Sequence, residues 1–307
     1  MAGQKRRALP GFGLSLGYAL FYLSVLVLIP LAGCFLKASS LSWEQFWRVV
    51  SDPIAVAAYK LSFLASFLAA LLNAVSGLMV AWVLVRYEFP GKKFLDALID
   101  LPLTLPTAVA GITFANLYGN EGWYGQHLTF LEPNGIVGHL FSAAGWFGEN
   151  VFTLDTRARG GPVAIVIVLM FVGIPFVIRS VQPVLAEIEV ELEEAAASLG
   201  ASRWQTFRHV ILPALLPAWL TGFALAYARG LGEYGSVIFV ADGIPGQTLI
   251  PPVLIVAKLD EFDQERSAFK YEEAAAIAVV LLTISFLTLV AINLLERWSK
   301  RFEPTEA

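Results

Sequence analysis

Charged residues are scarce in this sequence. Only 15% of its 307 residues are Asp, Glu, Lys or Arg, whereas 57% are hydrophobic. Ordinary soluble domains have about 25% charged and about 45–50% apolar residues. A soluble globule of this composition would expose apolar patches that water does not tolerate, so a bilayer is the simpler solvent. The net charge of −4 is mild, and no nucleic-acid partner is predicted.

Cysteine and histidine are also nearly absent, which restricts the chemistry. The single cysteine, Cys34, excludes an internal disulfide, and His127, His139 and His209 are far apart in sequence without metal-ligand spacing. No metal site is predicted, and a membrane enzyme is disfavoured because no His or Cys lies at membrane depth in a suitable arrangement. A Walker A motif is missing too, since "GKK" at Gly91–Lys93 lacks the upstream Gly and the following Ser or Thr. We therefore expect no catalytic residue and no cofactor on this chain.

Six apolar segments are long enough to cross about 30 Å of hydrocarbon at about 1.5 Å per helical residue. They cover about residues 14–36, 54–85, 95–118, 163–181, 214–241 and 274–295. The predicted fold class is all-α, a polytopic membrane protein with a transmembrane domain at 14–296 and tails at 1–13 and 297–307. "LAGC" at Leu31–Cys34 resembles a lipoprotein signal, but the apolar run exceeds the roughly 7–15 residues of a cleaved signal, which favours a retained span.

The distribution of lysine and arginine predicts the orientation, because cytoplasmic segments carry an excess of both. With six spans, both termini share one side. Twelve of the 21 cations fall on that side in short segments, and eight lie in longer loops on the other side. The twelve are Lys5, Arg6, Arg7, Arg86, Lys92, Lys93, Arg179, Arg203, Arg208, Arg297, Lys300 and Arg301. Both termini are therefore predicted to be cytoplasmic.

The cytoplasmic segment between spans four and five, residues 186–213, is called the two-helix loop here. Apolar residues recur in it at helical spacing. They form a first stripe of Ile188, Leu192, Ala195 and Leu199 and a second stripe of Trp204, Phe207 and Ile211. Two amphipathic helices are predicted. Their apolar stripes favour insertion into a groove of a cytoplasmic partner over a loop that rests on the membrane surface.

Local signals divide the two-helix loop. Gly200 suits a helix C-terminus that needs a positive φ. Ser202 and Gln205 fit a capping box that opens the second helix. Pro213 lacks an N–H and suits the first turn of the next helix. The segment is therefore predicted to run as helix, glycine turn, helix, and then directly into span five.

A spaced motif in this loop resembles the "EAA" motif of bacterial ABC importer permeases. Its residues are Glu194, Ala195, Ala196, Gly200, Val210, Leu212 and Pro213. Val210 stands where Ile is usual, a conservative change. The resemblance implies that the loop is the coupling element that docks on an ATP-hydrolysing subunit. A second "EEAAA" at Glu272–Ala276 has Val279 at the glycine position and is given no coupling role.

Three further stretches are similar to the T-type subunit of sulfate/thiosulfate permeases. They are "LPLTLPTAVAGITFANLYGNEGWYG" (Leu101–Gly125), "FVGIPFVIRSVQPVL" (Phe171–Leu185) and "ARGLGEYGSVIFVADG" (Ala228–Gly243). The resemblance implies a bacterial inner-membrane heterodimer with a W-type permease subunit, two copies of a cytoplasmic ATPase that uses the ATP, and a periplasmic sulfate-binding protein. Molybdate permeases share part of the pattern, so a permease for molybdate, tungstate or another oxyanion remains an alternative. An ion-coupled secondary transporter is the alternative of another class, against which the coupling motif argues.

Arg229 and Glu233 are predicted to share a helix face near the middle of span five, because they are four residues apart. Ionisable residues at such a depth usually face a cavity or a partner charge. Two interpretations stay open. The pair neutralises itself and fixes helix packing, or it borders the anion pathway, with Arg229 attracting a dianion.

Overall fold

The computed structural model describes residues 12–118, 161–241, 243–263 and 268–299. Residues 1–11 and 300–307 of the predicted tails, and residues 119–160 between two predicted spans, lie outside the described residues. Within the described ranges the helices are α1 (Phe12–Ala38), α2 (Trp43–Val50), α3 (Pro53–Arg86), α4 (Lys92–Ile99), α5 (Leu101–Thr104), α6 (Thr107–Tyr118), α7 (Pro162–Glu187), α8 (Val190–Ser198), α9 (Arg203–Leu231), α10 (Val237–Val240), α11 (Pro251–Asp260) and α12 (Tyr271–Ser299). Two-residue strands, β1 (Phe262–Asp263) and β2 (Ala268–Phe269), pair antiparallel.

The helices bear out the predicted all-α class of a multi-span membrane protein. Among the described residues, α1, α3, α7, α9 and α12 are long and apolar enough to cross a membrane, and α4 to α6 form a sixth span if their bent pair is counted as one. The chain divides into a larger unit, Asp52–Leu254 with Leu281–Ala307, and a smaller unit, Met1–Ser51 with Ile255–Val280.

The predicted third span, residues 95–118, is not one helix. Lys92–Thr104 and Thr107–Tyr118 meet at an angle of 109°. Leu105 is extended at the break, with ψ 136°, because the ring of the following Pro106 disfavours the helical conformation of the residue before it. The segment is therefore a broken span or a re-entrant turn.

The predicted fifth span, residues 214–241, is also interrupted. Helix α9 ends at Leu231, and α10 resumes at Val237. The "GEYGS" stretch between them, Gly232–Ser236, is not helical. Two glycines in five residues weaken the helix here, since glycine loses more backbone freedom than other residues when a helix forms.

The core of the larger unit lies where α3, α7 and α9 pack together. A Cβ on Gly77 of α3 would lie 2.8 Å from the Val177 side chain, and a Cβ on Gly222 of α9 would lie 2.8 Å from Val177 Cα. Trp219 Nε1 of α9 donates a hydrogen bond of 2.7 Å to Ala74 O of α3. Small residues thus allow the three backbones to approach closely, as is typical of membrane helices.

In the smaller unit, α1 lies beside the first turns of α12. Lys37 Nζ is 2.7 Å from Glu272 Oε1, and the free thiol of Cys34 donates to Ala275 O at 3.8 Å. These contacts fix the C-terminal half of α1 to that helix.

Candidate functional site

The two-helix loop has a glycine turn with a complete backbone cap. Helix α8 ends at Ser198, and Gly200 adopts φ +86°. Ala201 N donates to Ala196 O at 3.0 Å, and Gly200 N donates to Ala197 O at 2.9 Å. These two bonds form the Schellman arrangement, which needs a left-handed residue one position past the C-cap. The turn explains why the motif holds Gly200 four residues after Ala196.

The second half of the loop opens with the predicted capping box. Gln205 N donates to Ser202 Oγ at 3.3 Å, and Ser202 N donates to Gln205 Oε1 at 2.7 Å. The helix that starts here, α9, continues to Leu231, so the second half of the loop and the predicted span five form one helix. The turn of this helix at Phe207–Ile211 is π-helical. Pro213 therefore lies inside one continuous helix, just after this wide turn, instead of opening a new one.

The first predicted apolar stripe does not lie on one helix. Helix α7 continues to Glu187, and Ile188 is its C-cap with ψ 113°, so Ile188 and Leu192 belong to different elements. Helix α8 buries no residue. Leu199 is 90% exposed and Trp204 is 66% exposed, which leaves an unusually apolar tip on a polar loop.

The motif residues fall on both halves of this loop. Glu194, Ala195 and Gly200 are exposed on α8 and its turn, and Pro213 is exposed on α9. Ala196, Val210 and Leu212 are half-buried. The glycine turn brings the two halves side by side, and the exposed members provide a surface that no described residue covers.

The last turn of α3, with Trp82 and Arg86, is called the α3 seat. Arg86 Nη2 lies 2.6 Å from Glu193 Oε1 of α8, and both Nη atoms lie 3.3 Å from Ile188 O. The Trp82 ring meets the Phe207 ring edge-on, with centroids 5.8 Å apart. The seat therefore contacts both halves of the two-helix loop.

A second arginine centre joins α4 to α7. Arg179 Nε and Nη2 donate to the two carboxylate oxygens of Asp100 at 2.9 and 2.7 Å. Its Nη1 donates to Asp96 Oδ1 and Gln182 Oε1, each at 2.7 Å, and Nη2 also donates to Asp96 O at 2.8 Å. The guanidinium thus has all five N–H groups engaged. It clamps α4 to α7 and has no N–H group left for another ligand.

The sequence did not reveal either arginine centre. It identified Arg86 and Arg179 only as cations of the predicted cytoplasmic side and gave no partner for either. The one signal that could have found the clamp is the pair of aspartates four residues apart, which places both on one helix face. Their partner is far away in sequence.

Arg229 and Glu233 do pair, but not on one helix face. Glu233 lies beyond the end of α9 and is 1% exposed, and its Oε2 contacts Arg229 Nη1. The other oxygen, Oε1, accepts from Ser236 N and Ser236 Oγ, each at 2.9 Å. The carboxylate thus holds the residue before α10 as well as pairing with Arg229, whose side chain is 35% exposed.

The interrupted helix needs glycine at two close contacts with α6. A Cβ on Gly235 would overlap Thr107 Oγ1, and a Cβ on Gly111 would overlap Ser236 O. The break in span five therefore packs directly against the start of α6, which follows the break in span three.

A charged cluster lies in the smaller unit, where the end of α11 meets the first turn of α12. Lys258 Nζ is 3.1 Å from both Glu261 Oε2 and Glu273 Oε2, and Lys270 also contacts Glu261. Hydrogen bonds from Lys270 and then Lys258 hold the pKa of Glu261 below its usual value. Burial acts to lower the pKa of Lys258, but its hydrogen bonds to Glu261 and Glu273 raise it overall. In the described ranges no three His, Cys, Asp or Glu side chains form a potential metal site.

Residues 73–301 match the family described as "Binding-protein-dependent transport system inner membrane component". Curated relatives match along nearly the whole chain. The "Sulfate transport system permease protein CysT" of Salmonella typhimurium (strain LT2) is 44% identical over 302 residues, 98% of each chain. The protein of the same description from Escherichia coli (strain K12) is 43% identical over 98% of each chain. The one from Synechocystis sp. is 42% identical over 92% of this chain and 88% of its own.

Solved structures share the fold at low sequence identity. A crystal structure of a bacterial ABC transporter involved in import of the acidic polysaccharide alginate superposes with a TM-score of 0.62, at 16% identity and 95% coverage of both chains. An inward-facing structure of the MetNI methionine ABC transporter gives a TM-score of 0.53, at 18% identity, covering 84% of this chain and 99% of that chain. At these identities the likeness concerns the fold alone.

Proposed function

Because this chain belongs to the family of binding-protein-dependent transport system inner membrane components, we propose that it is the permease subunit of an ATP-driven importer of sulfate and thiosulfate. The substrate assignment is supported by relatives named for sulfate transport, which are 42–44% identical over most of the chain. The proposed location is the bacterial inner membrane, in contact with lipid, with both termini in the cytoplasm.

The observation that carries the proposal is the exposed two-helix loop. It has a capped glycine turn at Gly200 and an apolar tip at Leu199 and Trp204. A surface that combines charge with large apolar side chains is suited to insert into a groove of a protein partner. We assign the loop to contact with one of two cytoplasmic ATPase subunits, which bind and hydrolyse the ATP. This chain itself is assigned no catalysis and no cofactor.

The transport step follows from that assignment. Dimerisation of the two ATPase subunits displaces the two-helix loop, and the loop moves the helices that it continues into. A W-type permease subunit would form the other half of the pathway, and a periplasmic binding protein would deliver the anion to the outer face. Such alternating access is a switch between two rigid arrangements.

Within the pathway we assign a role to Arg229 and exclude direct contact for Glu233. Glu233 is buried and already accepts three partners, so it balances Arg229 and holds it in place. Arg229 is partly exposed and can attract a dianion. The earlier alternative, a purely structural pair, gives a different outcome in the following experiment.

Arg229→Ala alone is a poor test, because it would strand a buried carboxylate at a cost of about 3–5 kcal/mol. The double variant Arg229→Gln with Glu233→Gln keeps the site neutral and retains a polar side chain at both positions. We expect it to assemble and to lose uptake. An assembled double variant with normal uptake would leave the pair a purely structural role.

The function is tested by purifying the complex of this chain with its co-expressed permease, ATPase and binding protein. ATP hydrolysis is then measured with the binding protein loaded with sulfate, thiosulfate, molybdate or tungstate in turn. Stimulation by sulfate and thiosulfate supports the proposal. Stimulation by molybdate and tungstate alone would show instead that the chain belongs to a molybdate or tungstate importer.

A further inference from the structure

The α3 seat links two parts of the chain that perform different tasks. Helix α3 packs on α7 and α9 in the core, whereas α8 is fully outside the core. Arg86 is the last residue of α3 and is only 14% exposed, and Glu193 on α8 is 29% exposed. A partly buried ion pair therefore bridges the core and the exposed loop.

Arg86 also holds the end of α7. Its two Nη atoms share the carbonyl of Ile188, which follows the last residue of α7 and has no next helical turn to accept from. One guanidinium thus fixes the end of α3, the end of α7 and the start of α8. Lysine could not reproduce this, since its single ammonium lacks the planar fork.

Aromatic rings connect the other half of the loop to the same place. Arg86 Cζ lies 5.8 Å from the Trp82 ring centroid, Trp82 meets Phe207 at 5.8 Å, and Phe207 stacks on Trp204 at 5.6 Å. A cation so placed over a tryptophan is attracted to its ring. The exposed Trp204 at the loop tip is therefore joined by ring contacts to the end of α3.

We propose that Arg86 is a positioning residue that, through Glu193, transmits displacement of the two-helix loop to α3. The inference rests on the proposed function, because it requires an ATPase that moves the loop. Arg86 and Glu193 lie on separate segments of the sequence, but their side chains are in direct contact in the structure. When the loop moves, α3 must follow or the ion pair must break.

The test compares Glu193→Gln with a matched control in the purified complex. Glu88→Gln breaks a different ion pair, Lys92 Nζ to Glu88 Oε1 at 2.6 Å, which does not involve α8. The measured quantity is the number of anions imported per ATP hydrolysed, with complex assembly followed by co-purification. We expect Glu193→Gln to assemble and to lower this ratio by about tenfold, in the usual range of a coupling between sites, and Glu88→Gln to leave it unchanged.

A swapped pair provides the second arm. Arg86→Glu combined with Glu193→Arg restores opposite charges across the contact and should recover part of the ratio lost in either single variant. An unchanged ratio in Glu193→Gln overturns the proposal, and so does failure of that variant to assemble, because the pair would then serve only structure. If the wild-type complex itself imports no anion, the proposed function fails instead, which keeps the two failures distinguishable.

Discussion

Replacing Gly200 by valine probes the glycine turn by itself. Gly200 has φ +86° and open space around its missing Cβ, so an added side chain meets no atom. The whole effect is backbone strain. A left-handed conformation costs an L-residue about 1–2 kcal/mol, and a strained residue at a functional site up to about 3 kcal/mol.

A cost of about 2 kcal/mol shifts the turn equilibrium by about 30-fold, at about 1.4 kcal/mol per tenfold. The two bonds of the cap, from Ala201 N to Ala196 O and from Gly200 N to Ala197 O, would be lost as the turn relaxes. We expect Gly200→Val to insert in the membrane normally, because α8 buries nothing. It should reduce anion uptake relative to ATP hydrolysis, by at most that factor.

Two variants control for strain and for side-chain size. Gly91→Val carries the same strain, since Gly91 has φ +88° and equally open surroundings, but it lies before α4 and outside the two-helix loop. Gly200→Asn adds a side chain that tolerates the left-handed region. Both should stay close to wild type. Normal uptake in Gly200→Val, or an equal loss in Gly91→Val, would refute the reasoning.

Three further perturbations follow from the geometry. Gly235→Ala should prevent recovery of folded subunit, because the added Cβ would overlap Thr107 Oγ1, and Thr107→Ala in the same chain should restore the yield of monodisperse protein. Arg179→Lys should cost about 1–2 kcal/mol in a melting experiment, since a partly exposed clamp loses its bidentate fork. The Glu261 carboxylate has a lowered pKa, with Lys270 as the main cause. The stabilisation it provides should therefore be complete above the ordinary value of 4.5 and disappear as the pH falls through the lowered value.

Each of these has a result that contradicts it. Full recovery of Gly235→Ala alone would mean that the contact between Gly235 and Thr107 leaves room for a Cβ. A melting curve of Arg179→Lys that matches wild type would show that the bidentate contact of Arg179 does not stabilise the protein. For Glu261, the comparison is with Glu261→Gln across neutral to acid pH, and a difference between the two melting temperatures that persists in acid would show that charge is not its source.

Local features of the loop were predictable from sequence because they depend on neighbouring residues. The positive φ of Gly200 and the capping box of Ser202 and Gln205 each involve residues at most five positions apart. The chemistry of glycine, and of a hydroxyl at a helix start, is enough to specify them.

The sequence contains the residues that break spans three and five, but it does not show that the helices are interrupted there. Pro106 and the glycines of Gly232–Ser236 stand in apolar segments whose average hydropathy predicts a continuous helix. Whether such residues bend a membrane helix depends on neighbours that can satisfy its freed backbone groups. Here Glu233 accepts from Ser236 N, and that partnership could not be foreseen from hydropathy.

The arginine contacts were beyond the sequence because they join distant segments. Nothing in the pattern connects Arg86 to Glu193, or Arg179 to Asp96 and Asp100. A count of cations identifies the side of the membrane, but a charge on that side can be solvated, paired or clamped. The packing of α3 and α7 decides which of these three states Arg86 and Arg179 adopt.

The most direct measurement of the central claim is uptake of radiolabelled sulfate into proteoliposomes that contain the complete complex. We predict uptake only when the loaded binding protein and ATP are on opposite sides of the membrane, facing the outer surface and the two-helix loop respectively, and loss of that uptake in Gly200→Val. Uptake that needs an ion gradient and proceeds without ATP would contradict the account.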